Sequence, residues 1–142
     1  MIRKKIHFFI LFLILFSQTS INSKEGFFAD GLKLFEEKKF DDSKFKFEQD
    51  IVFNPKSELS YLYLAKIFKV ENNDDLVEQN LNAVILINPK NEEALYLLTL
   101  LRIKKSDYNE SDKLIKKFEK ICKKMCNKKS ELTTKLKTLE IN

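Results

Sequence analysis

Asn54-Pro55-Lys56 recurs 34 residues on as Asn88-Pro89-Lys90, and the apolar pattern around the first copy recurs with it. A fixed period of this size marks a stack of helical hairpins, because a small hairpin cannot bury its apolar face alone and leans on its neighbours. The constraint acts on the whole chain before any single residue is considered. It predicts an all-α protein built from repeated helix-turn-helix units.

Residues 1–23 stand apart from this pattern. Met1-Ile2-Arg3-Lys4-Lys5 is a basic start, and Ile6 to Phe16 is apolar apart from His7. Polar Ser17-Gln18-Thr19-Ser20 then arrives too soon for a membrane span, which takes roughly 20 apolar residues. The segment reads as a secretory signal peptide ending near Ser23, which predicts export, to a bacterial periplasm or envelope. The alternative is a chain anchored at the inner membrane through residues 6–16. No cysteine lies near this junction, so a lipid-modified cysteine there is not supported. The leader carries three of the basic residues behind the formal charge of +5, so much of the basicity belongs to it. What remains is uneven: residues 24–111 hold 13 basic and 17 acidic side chains, and residues 112–142 hold 10 and 4.

Along the body, Phe27 to Phe53 carries two blocks of apolar residues at helical spacing, with the polar turn Glu37 to Asp42 between them. Asp41 or Asp42 is the expected cap of the second helix. Pro55 closes the unit, since proline cannot continue the hydrogen-bond ladder. The next unit runs from Ser57, turns at Glu71 to Asp75 and ends at Asn88-Pro89. The third opens at Asn91 with a helix apolar on nearly every side, turns at Ser106 to Asn109, and continues through Leu114, Ile115, Phe118, Ile121, Cys122, Met125 and Cys126. With no third proline, that last helix can run longer, as far as Cys126. Ser130-Glu131 begins a short terminal helix with Leu132, Leu136, Leu139 and Ile141 along one side, a cap for the open end of the stack. The predicted array is therefore 24–126, in units 24–57, 58–91 and 92–126, followed by a basic tail at 127–142.

These units resemble tetratricopeptide repeats, which pair a large and a small residue in the first helix. Phe27 with Gly31 and Tyr61 with Ala65 fill those slots. Further family marks are the aromatics Phe40 and Tyr108, the small Ser43 and Ser111, the large Phe47, Leu81 and Ile115, and the closing Pro55 and Pro89. Asp30, Asp50, Val77 and Thr99 depart from the pattern. The resemblance implies a right-handed solenoid of about six helices plus the cap, with the first helix of each unit lining a concave groove. It places Phe28, Leu32, Phe35, Leu59, Leu62, Lys66, Lys69, Tyr96, Leu100 and Ile103 on that groove. A face so apolar suits an amphipathic helix or an extended apolar segment of another protein, an envelope protein given the leader, and self-association is the competing use. The family's clamp for acidic chaperone C-termini is not expected, because Phe28, Leu32 and Tyr63 stand where its polar residues belong.

Catalysis has little to work with. His7 is the only histidine and falls in the leader, which excludes an imidazole base and the usual nucleophile pairs. Gly26 and Gly31, the only glycines, build no phosphate loop. No enzyme, no cofactor and no metal site is expected. Cys122 and Cys126 have two readings: small core residues on the apolar stripe, or a disulfide that bends or ends the helix. Helical i, i+4 spacing puts their Cα atoms about 6 Å apart, near the upper limit for bridging, which favours the first. Lys113, Lys116, Lys117, Lys120, Lys123 and Lys124 crowd one polar face. They form a solvated face or a contact for an anionic membrane surface, and without interleaved aromatics they do not suit nucleic acid.

Overall fold

The computed structural model describes residues 26–140; the leader and Ile141 lie outside the described residues. The described residues divide into two compact units, one ending at Phe53 and the other beginning at Asn54. In the first, α1 (Gly26–Glu36) packs against α2 (Phe40–Phe53). The second holds α3 (Glu58–Val70), α4 (Asp74–Ile87), α5 (Glu92–Lys104), α6 (Tyr108–Ile121) and α7 (Lys128–Glu140). There α3 pairs with α4, α4 with α5 and α5 with α6, and α7 packs on both α5 and α6.

Each hairpin turns by the same device. Lys38, Asn72 and Ser106 take φ of 59°, 57° and 57°, and they stand 34 residues apart. Around each, two backbone bonds close the preceding helix. Lys38 N–H donates to Phe35 C=O and Lys39 N–H to Leu34 C=O; Asn72 and Asn73 donate to Lys69 and Phe68; Ser106 and Asp107 donate to Ile103 and Arg102. This is the Schellman closure, in which one left-handed residue lets the chain satisfy its last carbonyls and reverse. The residue after the reversal then starts the next helix: Asn73 and Asp107 each accept an N–H three residues on, from Leu76 and Glu110. In the first hairpin that position is Lys39, whose side chain has no acceptor; the helix starts at the equivalent Phe40, and Asp41 and Asp42 sit in its first turn rather than capping it. Their charge favours that end through the helix dipole.

Equivalent slots fill the cores of the hairpins. Gly31, Ala65 and Thr99 are buried, as are Phe47, Leu81 and Ile115. Gly31 is forced: a Cβ there would stand 2.8 Å from the ring of Phe47, which is fully buried and has nowhere to go. Serines fill the tight places with their hydroxyls satisfied, Ser43 donating to Gly31 C=O at 2.8 Å and Ser111 to Asp107 C=O at 2.7 Å. Thr99 bonds Leu95 C=O at 2.7 Å, so its departure from the family pattern leaves no buried group unmatched. Asp30 is exposed, 4.0 Å from Lys46, and needs no apolar setting.

The third hairpin ends differently from expectation. Helix α6 stops at Ile121, Cys122 turns extended (φ −60°, ψ 140°), and Cys122 and Cys126 are joined in a disulfide with Cα atoms 5.2 Å apart. Cys122 is half-buried and Cys126 exposed, so the pair are not core residues. The terminal helix then begins at Lys128, two residues before Ser130, and buries Leu132 and Leu136.

None of the left-handed residues is glycine, and a side chain in that region costs about 1 kcal/mol or more. Lys38→Gly and Ser106→Gly are expected to stabilise the chain by about 0.5 kcal/mol each after glycine's extra unfolded-state entropy is counted. Asn72→Gly gains less, because asparagine tolerates this conformation. Urea denaturation of the three variants checks the order, and a loss of stability at Lys38 and Ser106 contradicts the turn assignment.

Candidate functional site

In the second unit the apolar stripes of α3 and α5, having paired with α4 and α6, leave a seam between the two first helices. Ala65, Lys69, Asn72, Asp74, Val77, Leu97, Leu100, Leu101 and Lys104 line a cavity of about 210 Å³ there. A second cavity of about 510 Å³ opens between α5 and α7, walled by Leu100, Ile103, Lys104, Thr134, Lys135 and Thr138. Leu100 and Lys104 belong to both. The floor is aliphatic and the rims carry lysine.

Electrostatics tighten this seam. Lys66 on α3 reaches Glu93 on α5 at 2.8 Å while lying over the Tyr63 ring, 4.5 Å from its centroid. Lys104 holds Asp74 at 2.6 Å, and Lys128 holds Glu131 at 3.1 Å. Each carboxylate along this side thus has a lysine. Lys69 and Lys135 remain, exposed and without an ion pair among the described residues. On the flank, α4 and α5 are stapled by Arg102 to Glu78 at 2.6 Å and by Lys105 to Glu78 and Asp75 at 3.0 and 3.2 Å.

Two carboxylates fix the terminal helix. Glu92, in the first turn of α5, accepts the backbone N–H groups of Met125 at 2.8 Å and Lys124 at 3.0 Å, holding the disulfide loop. Those bonds, the Met125 N–H first, keep its carboxyl below its ordinary value of 4.5. Glu131 on α7 is also lowered, first by its bond from Lys128 and then by that from the Tyr96 hydroxyl, 3.0 Å away. Burial and the same Glu131 push the Tyr96 phenol up.

Of the residues expected on the groove, Leu100, Ile103 and Lys69 line the cavities, Ile103 as a buried wall. Lys66 and Tyr96 hold the seam together through Glu93 and Glu131. Leu62 is buried at 3% and belongs to the core, whereas Leu59 is exposed. Phe28, Leu32 and Phe35 lie on α1 in the first unit, half-buried, with Phe28 against Phe47 and Phe35 against Phe40. Sequence reasoning missed the wall supplied by α7, Thr134, Lys135 and Thr138. Their spacing at i, i+1 and i+4, opposite buried Leu132 and Leu136, was the available signal. In the lysine face, Lys113 and Lys116 pair with Glu110 and Asp112. Lys117, Lys120, Lys123 and Lys124 have no ion pair among the described residues. No metal-binding cluster occurs among the described residues, and none of their helices is long and apolar enough to cross a membrane.

No protein-family model matches the chain, and no curated protein matches it. Solved structures do. The chain is similar to the TPR domain of Sgt2 from Aspergillus fumigatus, with 14% identity over 87% of this chain and 83% of that one and a TM-score of 0.69. It is similar to the Yersinia enterocolitica type III secretion chaperone SycD in complex with a peptide of the translocator YopD (12% identity, 88% and 98% covered, TM-score 0.72). The second TPR domain of human RPAP3, in complex with an HSP70 peptide, is a third (16%, 79% and 90% covered, TM-score 0.65). At such identities the likeness is one of fold, and that fold is the all-α tetratricopeptide-repeat hairpin array.

The pKa shifts give a pH dependence with a definite sign. Glu92 and Glu131 ionise at lower pH when folded, so their stabilisation is complete above the unfolded carboxylate value and is lost as pH falls through their depressed folded values. Urea denaturation at pH 6 and pH 3, on the order of one and a half units either side of that value, is expected to show Glu92→Gln losing less stability on acidification than the parent chain. An equal loss in both contradicts the role of Glu92.

Proposed function

We propose that the protein is an exported scaffold that holds an apolar helical or extended segment of another envelope protein on the face formed by α3, α5 and α7. The observation that carries this is the continuous aliphatic floor through Leu97, Leu100 and Ile103, rimmed by Lys69 and Lys135. Related folds bind peptides: SycD holds a translocator peptide and RPAP3 an HSP70 peptide. An apolar segment contributes roughly 25 cal/mol for each Å² it buries, and the spare lysines favour carboxylates beside it. That charge argues against the chain's own leader as occupant, since Arg3, Lys4 and Lys5 would meet lysines. At this face the carboxylates Glu93, Asp74 and Glu131 are tied to lysines, the Tyr96 phenol is bonded to Glu131, and the two cysteines are joined, which favours binding over catalysis as the work of the face.

A second reading rests on Lys117, Lys120, Lys123 and Lys124, which leave charge unmatched at the end of α6 and in the loop after it. In that reading they dock the protein on an anionic membrane surface, and anchoring through residues 6–16 would place them beside one. Co-sedimentation with phosphatidylglycerol vesicles, lost on raising salt, supports it; no binding at low salt removes it.

For the groove, the probe is a short helix-forming peptide with leucines at i, i+3, i+4 and i+7 and glutamates on its other face. Fluorescence anisotropy is expected to show binding that Leu100→Glu weakens by about tenfold or more, a change of about 1.4 kcal/mol. Leu86→Glu, at an exposed site on α4 outside both cavities, is expected to change nothing. Equal binding by all three proteins, or none by the parent, overturns the reading.

A further inference from the structure

The break between α6 and α7 has no ordinary cause in the sequence. Residues 119–130 contain neither proline nor glycine, and the apolar stripe of α6 runs on through Met125. Helical bonding also reaches the break, because the Cys122 N–H still donates to Phe118 C=O at 2.8 Å. An unbroken helix would set the two Cα atoms about 6 Å apart. They stand 5.2 Å apart with Cys122 extended, so the helix ends where the cross-link begins.

Besides its packing on α5 and α6, α7 is placed by polar contacts that lie beyond that break. The Lys124 and Met125 N–H groups turn to Glu92 instead of completing a helical turn, and Glu131 meets the Tyr96 hydroxyl. Helix α7 in turn supplies Thr134, Lys135 and Thr138 to the larger cavity. We propose that the Cys122–Cys126 disulfide is a redox latch that holds α7 as the wall of the binding face. This rests on the reading of that face as the partner site, and it adds control by the thiol state.

The exchange is simple to balance. The thiolate of a small dithiol attacks Sγ of exposed Cys126 and displaces the Cys122 thiolate, which takes up a proton. The reductant's second thiol then releases Cys126 as a thiol and leaves the reductant as a cyclic disulfide. Two electrons pass to the protein and two thiols form. With the cross-link gone, the stripe through Met125 regains its helical bonds, Lys124 and Met125 N–H leave Glu92, and α7 comes away from α5.

Hydrogen–deuterium exchange on the full chain, with and without dithiothreitol, tests the latch. On reduction, amides 122–127 are expected to slow, and those of 128–138 to exchange at least tenfold faster, with α3 and α4 unchanged. The glutamate-faced leucine peptide is expected to bind at least tenfold more weakly to the reduced chain. Cys122→Ser/Cys126→Ser is expected to behave as the reduced form and to ignore the reductant. Unchanged exchange in α7 overturns the latch, and so does faster exchange with undiminished peptide binding. If the peptide binds neither form while exchange responds as described, the partner-site reading fails, and with it the claim that the latch controls a partner.

Discussion

Every hairpin here depends on one backbone reversal, a single residue in the left-handed region at the end of each first helix. Lys38, Asn72 and Ser106 hold it 34 residues apart, each with the same pair of closing bonds. The reversal fixes where the second helix starts, and so which residues face each other across the hairpin. The fillers then compensate: the small slot grows from Gly31 to Ala65 to Thr99 while its large counterpart goes from Phe47 to Leu81 to Ile115. Close packing makes such exchanges of volume the cheapest kind of divergence.

The proposed binding face follows from what the hairpins leave over. Helices α3 and α5 each spend one side on a partner helix and turn another to the seam, where Leu97 and Leu100 stay half-buried. Pairing of Lys66, Lys104 and Lys128 with Glu93, Asp74 and Glu131 neutralises the carboxylates there. What is left is aliphatic and cationic. Helix α7 completes the face, and the Glu92 bonds to the disulfide loop hold it in place.

Much of the architecture was legible in the sequence. The period located the hairpins, and Asn73, Asn91 and Asp107 act as caps at the helix starts their turns announced. The left-handed positions were hidden because none is glycine, the residue that normally advertises them. The end of α6 was misjudged because the stripe through Cys122 and Met125 is helical in pattern, whereas the chain turns extended at Cys122, where the disulfide begins. Of the residues expected on the groove, Lys69, Leu100 and Ile103 line the cavities and Leu62 lies in the core; first helices buried on several sides give no apolar contrast between core and groove. The α7 wall was invisible while that helix was read only as a cap.

The central claim is that a partner segment lies against α5 between α3 and α7. A photoreactive amino acid placed at position 100 or 135 of the full chain, and at position 86 as reference, tests this in the cells that make the protein. The account predicts crosslinks to one same partner from 100 and 135, and none to it from 86. Crosslinks to that partner from 86 alone would contradict it.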